Sequence, residues 1–256
     1  MLNIGLTSVT FRELSCSEII DYCKKCGISH IEWGSDVHVP AGNIEYALSV
    51  KKMCDDIGLK VSSYGSYYRC GTYENAEKSF KSYLDIAKAL DAKTIRIWVG
   101  EKNYEEAQQA YVQRIVNELK LICAMAEKEK IEIGCEFHGG TLCNTCDGAL
   151  SIVNMVGCSN FGMYFQYDYL SGTEENCHTL KSFIPILKNV HVFYIDGEQR
   201  MSLSEKEGTR IWKELIEILK DTNTCTNLLF EFLKNPTCED LLKETIILKG
   251  IINGFS

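Results

Sequence analysis

Apolar residues along the chain fall into two alternating patterns. Short apolar runs recur at 2–7, 28–33, 59–64, 93–99, 131–137, 160–166, 189–194 and 227–233. Between them apolar residues return every three or four positions, for example over 15–26, 44–57, 74–90, 104–129, 204–220 and 236–252. The short runs predict buried strands and the longer periodic stretches predict amphipathic helices. Gly27 in KCGISHIEW and Gly58 in DIGLKVSSY stand where a helix gives way to a strand, a place that suits a left-handed glycine. Ser17, Ser204 and Thr237 read as helix starts.

Strand–helix alternation implies parallel strands joined by right-handed crossovers. Eight such units in 256 residues predict a single closed (β/α)8 barrel, an α/β fold spanning residues 1–256 as one domain. An open doubly wound sheet would place a glycine-rich phosphate turn after the first strand. Here that strand is followed by TSVTFREL, so the barrel is preferred.

Composition narrows the function. A net charge of -8 argues against a nucleic-acid surface, which is normally basic. No window supplies the roughly 18 apolar residues of a membrane span. The start MLNIGLTSVTF lacks a secretory pattern, so the expected location is cytoplasmic. The thirteen cysteines then read as reduced thiols serving as small buried hydrophobes. The pairs Cys23/Cys26 and Cys143/Cys146 have C-x-x-C spacing. They lie far apart in the chain and the first falls in a helical pattern, so a structural zinc is not favoured.

Alternation along each strand separates a helix-facing set from an inward set. By parity, Glu136, Gln166, His191 and Glu231 all point inward from the fifth to eighth strands, mostly near their carboxyl ends. Barrel enzymes build their sites at those ends. Two inward carboxylates repel unless a proton or cation lies between them. Three oxygen donors and one nitrogen suit Mn²⁺, Mg²⁺, Co²⁺ or Zn²⁺.

Further candidates surround that set. His138 lies just beyond Glu136 on the same face, either to bind substrate or to steady the turn. His38, in GSDVHVP, follows the second strand and can reach over the mouth. Glu32 is the inward member of the His30/Glu32 pair. Arg96, in parity with Trp98, either grips substrate oxygens or neutralises Glu32 or Glu136. Tyr64, Tyr67 and Tyr68 after the third strand can form an aromatic wall. His178 and the run EKNYEEAQQ read as solvated helix beginnings, the acids of the latter favoured by the helix dipole.

The chain resembles the xylose isomerase-like TIM-barrel superfamily, in particular its sugar phosphate isomerase/epimerase group. The resemblance rests on GISHIEWGSDVHVP, VSSYGSYYRCG, TIRIWVGE, IEIGCEFHGGTL, FGMYFQYDYL, VHVFYID and LLFEF, and covers nearly the whole chain. It implies one divalent metal held by Glu136, Gln166, His191 and Glu231. Aspartate is usual at the sixth-strand position. Gln166 brings an oxygen without charge, which implies a weakly bound metal unless Asp168, two residues on, compensates.

The resemblance implies a metal-dependent sugar or sugar phosphate isomerase or epimerase, with Glu136 and Glu231 as the acid–base pair and His38, Arg96, His138, Trp98 and Tyr64 binding substrate. Alternatives are a dehydratase of a keto-inositol-like substrate or a sugar-binding barrel without catalysis. The repair-nuclease branch needs more ligands than five histidines and an acidic chain suggest. The expected partner is a small sugar or sugar phosphate rather than nucleic acid or membrane. The oligomeric state, a homo-oligomer included, is left open.

Overall fold

The computed structural model describes residues 1–222 and 226–254. In chain order its strands and helices are β1 (Leu2–Thr7), α1 (Cys16–Cys26), β2 (His30–Gly34), α2 (Ile44–Asp55), β3 (Lys60–Cys70), α3 (Ala76–Ala89), β4 (Thr94–Val99), α4 (Gln109–Lys128), β5 (Glu132–Glu136), α5 (Cys146–Val156), β6 (Phe161–Gln166), α6 (Thr173–Phe183), β7 (Leu187–Val192), β8 (Tyr194–Asp196), β9 (Gln199–Met201), α7 (Lys206–Lys220), β10 (Thr226–Phe230) and α8 (Cys238–Asn253). β1, β2, β3, β4, β5, β6, β7 and β10 are parallel and close into a barrel, β10 pairing with both β7 and β1. The expected (β/α)8 architecture is present.

The helix-facing set of each strand is apolar and buried, as with Ile95, Ile97 and Val99 on β4, Ile133 and Cys135 on β5, and Val190 and Val192 on β7. These residues join the inner faces of the helices in one continuous core. Area removed from water in this layer, at ~25 cal/mol per Å², is the main favourable term of folding. α1 is fixed at both ends. Ser15 and Glu18 form a reciprocal capping box, and Gly27 ends the helix at φ +66°. The cap is therefore Ser15 rather than Ser17, because the partnering glutamate lies three residues after Ser15. Thr237 caps α8 as expected. Ser204 instead lies in the turn before α7, whose cap is Glu205. The periodic stretch from 104 splits into a short 3-10 turn, Tyr104–Glu106, and α4 from Gln109.

The barrel interior is polar. At its amino-terminal end Asn3 donates to Asn227 (3.0 Å), Asn227 to Asn189 (2.8 Å) and Asn189 to the Tyr164 hydroxyl (2.7 Å). Tyr164 fills the interior because Gly134 faces it. A Cβ there would stand 2.2 Å from the tyrosine ring. A small antiparallel pair, β8–β9, leaves the barrel after β7; it interrupts the strand expected to run to 194. The twelve cysteines among the described residues are all free, and Cys225 lies outside them. No helix among the described residues is long and apolar enough to cross a membrane.

Candidate metal centre

At the carboxyl ends of the strands, five ionisable side chains from five strands converge. They are Glu32 (β2), Arg96 (β4), Glu136 (β5), His191 (β7) and Glu231, one residue past β10; all are buried. Glu231 is held in register after its strand ends. Its backbone amide bonds the Val192 carbonyl (3.2 Å), and the Thr10 hydroxyl donates to the Glu231 carbonyl. Thr7 and Thr10 also donate to the Phe230 carbonyl, at 3.1 and 3.2 Å. The 3-10 turn Ser8–Phe11 therefore fastens the first strand to the last at the mouth.

Arg96 organises the acids. Its Nε donates to Glu32 Oε1 (2.9 Å) and its Nη1 to Glu136 Oε2. Trp98 Nε1 donates to the same Glu136 oxygen. Glu32 Oε2 accepts from the Ser63 hydroxyl (2.8 Å). Gly65 on β3 makes room for this arrangement, since a Cβ would stand 2.8 Å from Arg96 Nη2 and 3.0 Å from Glu32 Oε1. Between the two roles weighed for Arg96, the structure shows neutralisation of both glutamates by a guanidinium only 2% exposed.

His191 Nδ1 is the point on which the oxygens converge. Glu231 Oε2 lies 3.3 Å away, Gln166 Oε1 3.5 Å and Glu136 Oε1 3.9 Å. Glu136, His191 and Glu231 can each offer an atom within 4.8 Å of the others, and this is the one such group among the described residues. Burial by itself would lower the His191 pKa, but the Glu231 and Glu32 carboxylates outweigh it and hold the imidazolium to about 10. Burial opposes ionisation of Glu32, yet Arg96 and His191 bring its carboxyl down to about 2. Burial likewise resists charge on Glu231, and His191 again overcomes it, lowering the pKa. Three carboxylates against one guanidinium leave a surplus of two negative charges, of which a protonated His191 offsets one. A divalent cation would meet the same demand at the same nitrogen. The mixed oxygen and nitrogen donor set fits such an ion, with Glu136, His191, Glu231 and the Gln166 carbonyl as its ligands.

The expected substrate-contacting residues divide. Arg96, Trp98 and His138 line a cavity of about 200 Å³ with Glu136, Gln166 and Glu231. His138 and Gln166 also border a neighbouring cavity of about 440 Å³. His138 is exposed and packs near Trp98, ring centroids 5.3 Å apart. Its Nδ1 lies 2.6 Å from the Gly139 carbonyl. As donor there, Nδ1 leaves Nε2 with the lone pair of the neutral ring.

His38 and Tyr64 do not reach the mouth. His38 is 4% exposed, with Nε2 on the Leu14 carbonyl (3.1 Å) and its ring beside Trp33. The loop after β2 turns inward and makes it a strut. Tyr64 falls on the helix-facing parity of β3, fully buried, with its hydroxyl donating to the Val39 carbonyl (2.8 Å). Asp168 does not compensate for Gln166. Its carboxylate accepts from the Leu170 amide (3.0 Å) and the Ser171 hydroxyl (2.5 Å), which ties it into the loop after β6.

The site also holds Tyr67, the one member of the expected aromatic wall that reaches it, and residues the sequence reading did not single out, Arg12 and Phe232. Tyr67 joins the cavity wall because β3 runs on to Cys70 with a register break between Gly65 and Tyr68. Tyr67 adopts φ +54°, a backbone conformation uncommon for bulky residues. Arg12 donates to its hydroxyl (3.0 Å) and pairs with Asp36. Phe232, beyond the end of β10, borders both cavities. The available signal for Arg12 was its place in the loop after a strand, the segments from which barrel mouths are built.

A curated 3-dehydroshikimate dehydratase from Bacillus anthracis is 22% identical over 89% of this chain and 90% of its own length. The crystal structure of the probable 3-DHS dehydratase AsbF from the same organism superposes with a TM-score of 0.82, at 18% identity, covering 97% of this chain and 99% of the other. A D-psicose 3-epimerase crystallised with D-fructose superposes with a TM-score of 0.74, at 16% identity, covering 98% and 100% of the two chains. At these identities the structural likeness shows the fold alone. The profile of the family described as "Xylose isomerase-like TIM barrel" matches residues 20–246, and this chain belongs to that family.

Proposed function

We propose that the protein is a metal-dependent enzyme that removes a proton next to a carbonyl in a small polyhydroxylated substrate, and that loss of a hydroxyl as water follows. The observation that carries the reading is the engagement of Glu136. One of its oxygens accepts from both Arg96 and Trp98 while the other faces His191. So held, Glu136 acts as a ligand and orienting group rather than as a mobile base. This reading replaces the expectation of Glu136 and Glu231 as the acid–base pair. His138 remains at the cavity as the proton-transfer group, with Glu231 beside it as a further ligand.

A divalent ion bound here supplies a Lewis acid that makes the neighbouring C–H acidic and stabilises the charge that develops. His138 Nε2 then takes the proton and, once protonated, returns it to the departing hydroxyl, which leaves as water. Trp98, Tyr67 and Phe232 wall the cavity in which the reacting face would lie. The family and the curated dehydratase relative support this reading.

A second reading, aldose–ketose isomerisation or ketose epimerisation, is favoured by the two glutamates that flank His191. One experiment separates the two. The protein is incubated with Mn²⁺ in D₂O with 3-dehydroshikimate, a keto-inositol, several ketoses and their phosphates, and followed by NMR and mass spectrometry. Loss of water from one of these, abolished in His138→Gln, is the expected result. Deuterium next to the carbonyl with no dehydrated product would establish the isomerase reading instead. Neither exchange nor dehydration across the set would leave a sugar-binding barrel as the better account.

A further inference from the structure

Glu32 lies on β2, across the barrel from the strands that carry the metal-ligand set, and none of the roles described so far uses it. It is 1% exposed. Its two oxygens are held from outside the histidine, Oε1 by Arg96 Nε and Oε2 by the Ser63 hydroxyl. Oε1 also faces His191 Nε2 at 3.7 Å, an ion-pair contact too long for a hydrogen bond. His191 Nε2 is fully buried and has no hydrogen-bond partner among the described residues. The opposite nitrogen, Nδ1, is the one surrounded by Glu231, Gln166 and Glu136.

These facts have one economical explanation. An imidazole that binds a metal through one nitrogen must carry its proton on the other, and that N–H needs an acceptor. A carboxylate already fixed in place can set the ring's tautomer and rotation. Glu32 meets that need because Arg96 and Ser63 hold it still. Arg96 carries the constraint further, since the same guanidinium grips Glu136. We infer that Glu32 is the positioning residue of the metal centre: it holds the His191 Nε2–H so that Nδ1 faces the ion, and through Arg96 it aligns Glu136. The inference rests on the metal-binding reading above and not on the reaction assigned to it.

The test reads metal binding directly. Zn²⁺ and Mn²⁺ affinities of the full chain are measured by calorimetry for the wild type, Glu32→Gln and Glu32→Asp, with circular dichroism confirming the fold. A neutral Gln should weaken binding by about 10–100-fold, the usual cost of losing a histidine's outer partner, and Asp should recover part of the loss. If Glu32 serves only as counter-ion to Arg96, Glu32→Gln lowers thermal stability and leaves metal affinity unchanged, and the inference fails. ¹⁵N NMR of the Zn²⁺-loaded wild type, with His191 assigned through His191→Asn, keeps the inference exposed even if Glu32→Gln does not fold. Nδ1 bound to metal with Nε2 protonated is expected; coordination through Nε2 overturns it. A wild type that binds neither ion overturns the metal centre itself, a result distinct from bound metal with an indifferent Glu32.

Discussion

The two ends of the barrel bury polar groups in opposite ways. At the amino-terminal end, a chain of amides runs Asn3–Asn227–Asn189 to the Tyr164 hydroxyl, each donor matched to an acceptor. Lys188 closes on Glu132 beside it (2.5 Å). This end borders the larger cavity, about 570 Å³. At the carboxyl end, three carboxylates share one guanidinium and one imidazole, and His191 Nε2 stays without a hydrogen bond. Neutral pairs complete one another, whereas like charges in a dry site are tolerated only if a cation joins them. Cavity size and charge imbalance therefore point to opposite ends, and the proposed site follows the charge.

Turnover offers the sharpest contrast between the ends. His138→Gln removes the acid–base group, so kcat should fall by roughly 10²–10⁴ on whichever substrate proves active. Asn227→Leu, on the amino-terminal amide chain, should leave kcat within a few-fold. Comparable losses from both substitutions would show that the chemistry is not confined to the carboxyl end.

Stability should divide in the same direction. Arg96 is the only guanidinium bonded to Glu32 and Glu136 among the described residues. Arg96→Met leaves those carboxylates buried without their partner, at a cost of about 3–5 kcal/mol. Asn227→Leu breaks two amide hydrogen bonds beside an open cavity and should cost about 1–3 kcal/mol. Urea unfolding of both variants without added metal measures the difference. An Arg96→Met protein as stable as Asn227→Leu would mean that the acids discharge by protonation and that the ion pairs matter little.

The same contrast explains what the sequence made legible. Parity carried the inward placement of Glu136, Gln166 and His191, because each lies within a regular strand and a period of two is unambiguous there. It also placed Glu231, though only because Thr10 and the Val192 carbonyl extend the register one residue past β10. Of the aromatic wall expected after the third strand, only Tyr67 reaches the mouth, because β3 runs on to Cys70 and keeps Tyr64 and Tyr68 inside the strand and buried. The His38 expectation failed because loop direction depends on packing, here against Trp33 and the Leu14 carbonyl. The β8–β9 pair escaped notice because a three-residue strand has too short a pattern to register. Arg96 was visible as an inward charge. Which acid it would serve required coordinates, and the answer was both.

Gly65 gives a smaller effect at the same cluster. A methyl there must displace Arg96 Nη2 or Glu32 Oε1, at 2.8 and 3.0 Å. Gly65→Ala should cost about 1–3 kcal/mol, as other overpacked interiors do, and should weaken metal binding together with stability. Loss of stability with metal affinity intact would separate the Arg96 alignment from the ligand geometry.

The smallest effect concerns the charge of the ligand set. Gln166 Oε1 lies 3.5 Å from His191 Nδ1, placed to donate an oxygen but no charge, and Asp168 is committed to its own loop. A site built this way should bind a divalent ion weakly enough to lose it during purification. Gln166→Asp adds a carboxylate one methylene shorter at the same strand position. The added charge acts on the cation at close range, while the shorter side chain gives up some reach. On balance Mn²⁺ binding should tighten about tenfold, equivalent to ~1.4 kcal/mol. Calorimetry on the metal-free protein measures it, with Asn227→Asp as a control that adds the same charge at the far end of the barrel and should leave the affinity unchanged. Equal tightening in both variants would assign the effect to the overall field of the protein. Unchanged or weaker binding in Gln166→Asp would remove Gln166 from the ligand set and leave Glu136, His191 and Glu231 to hold the ion.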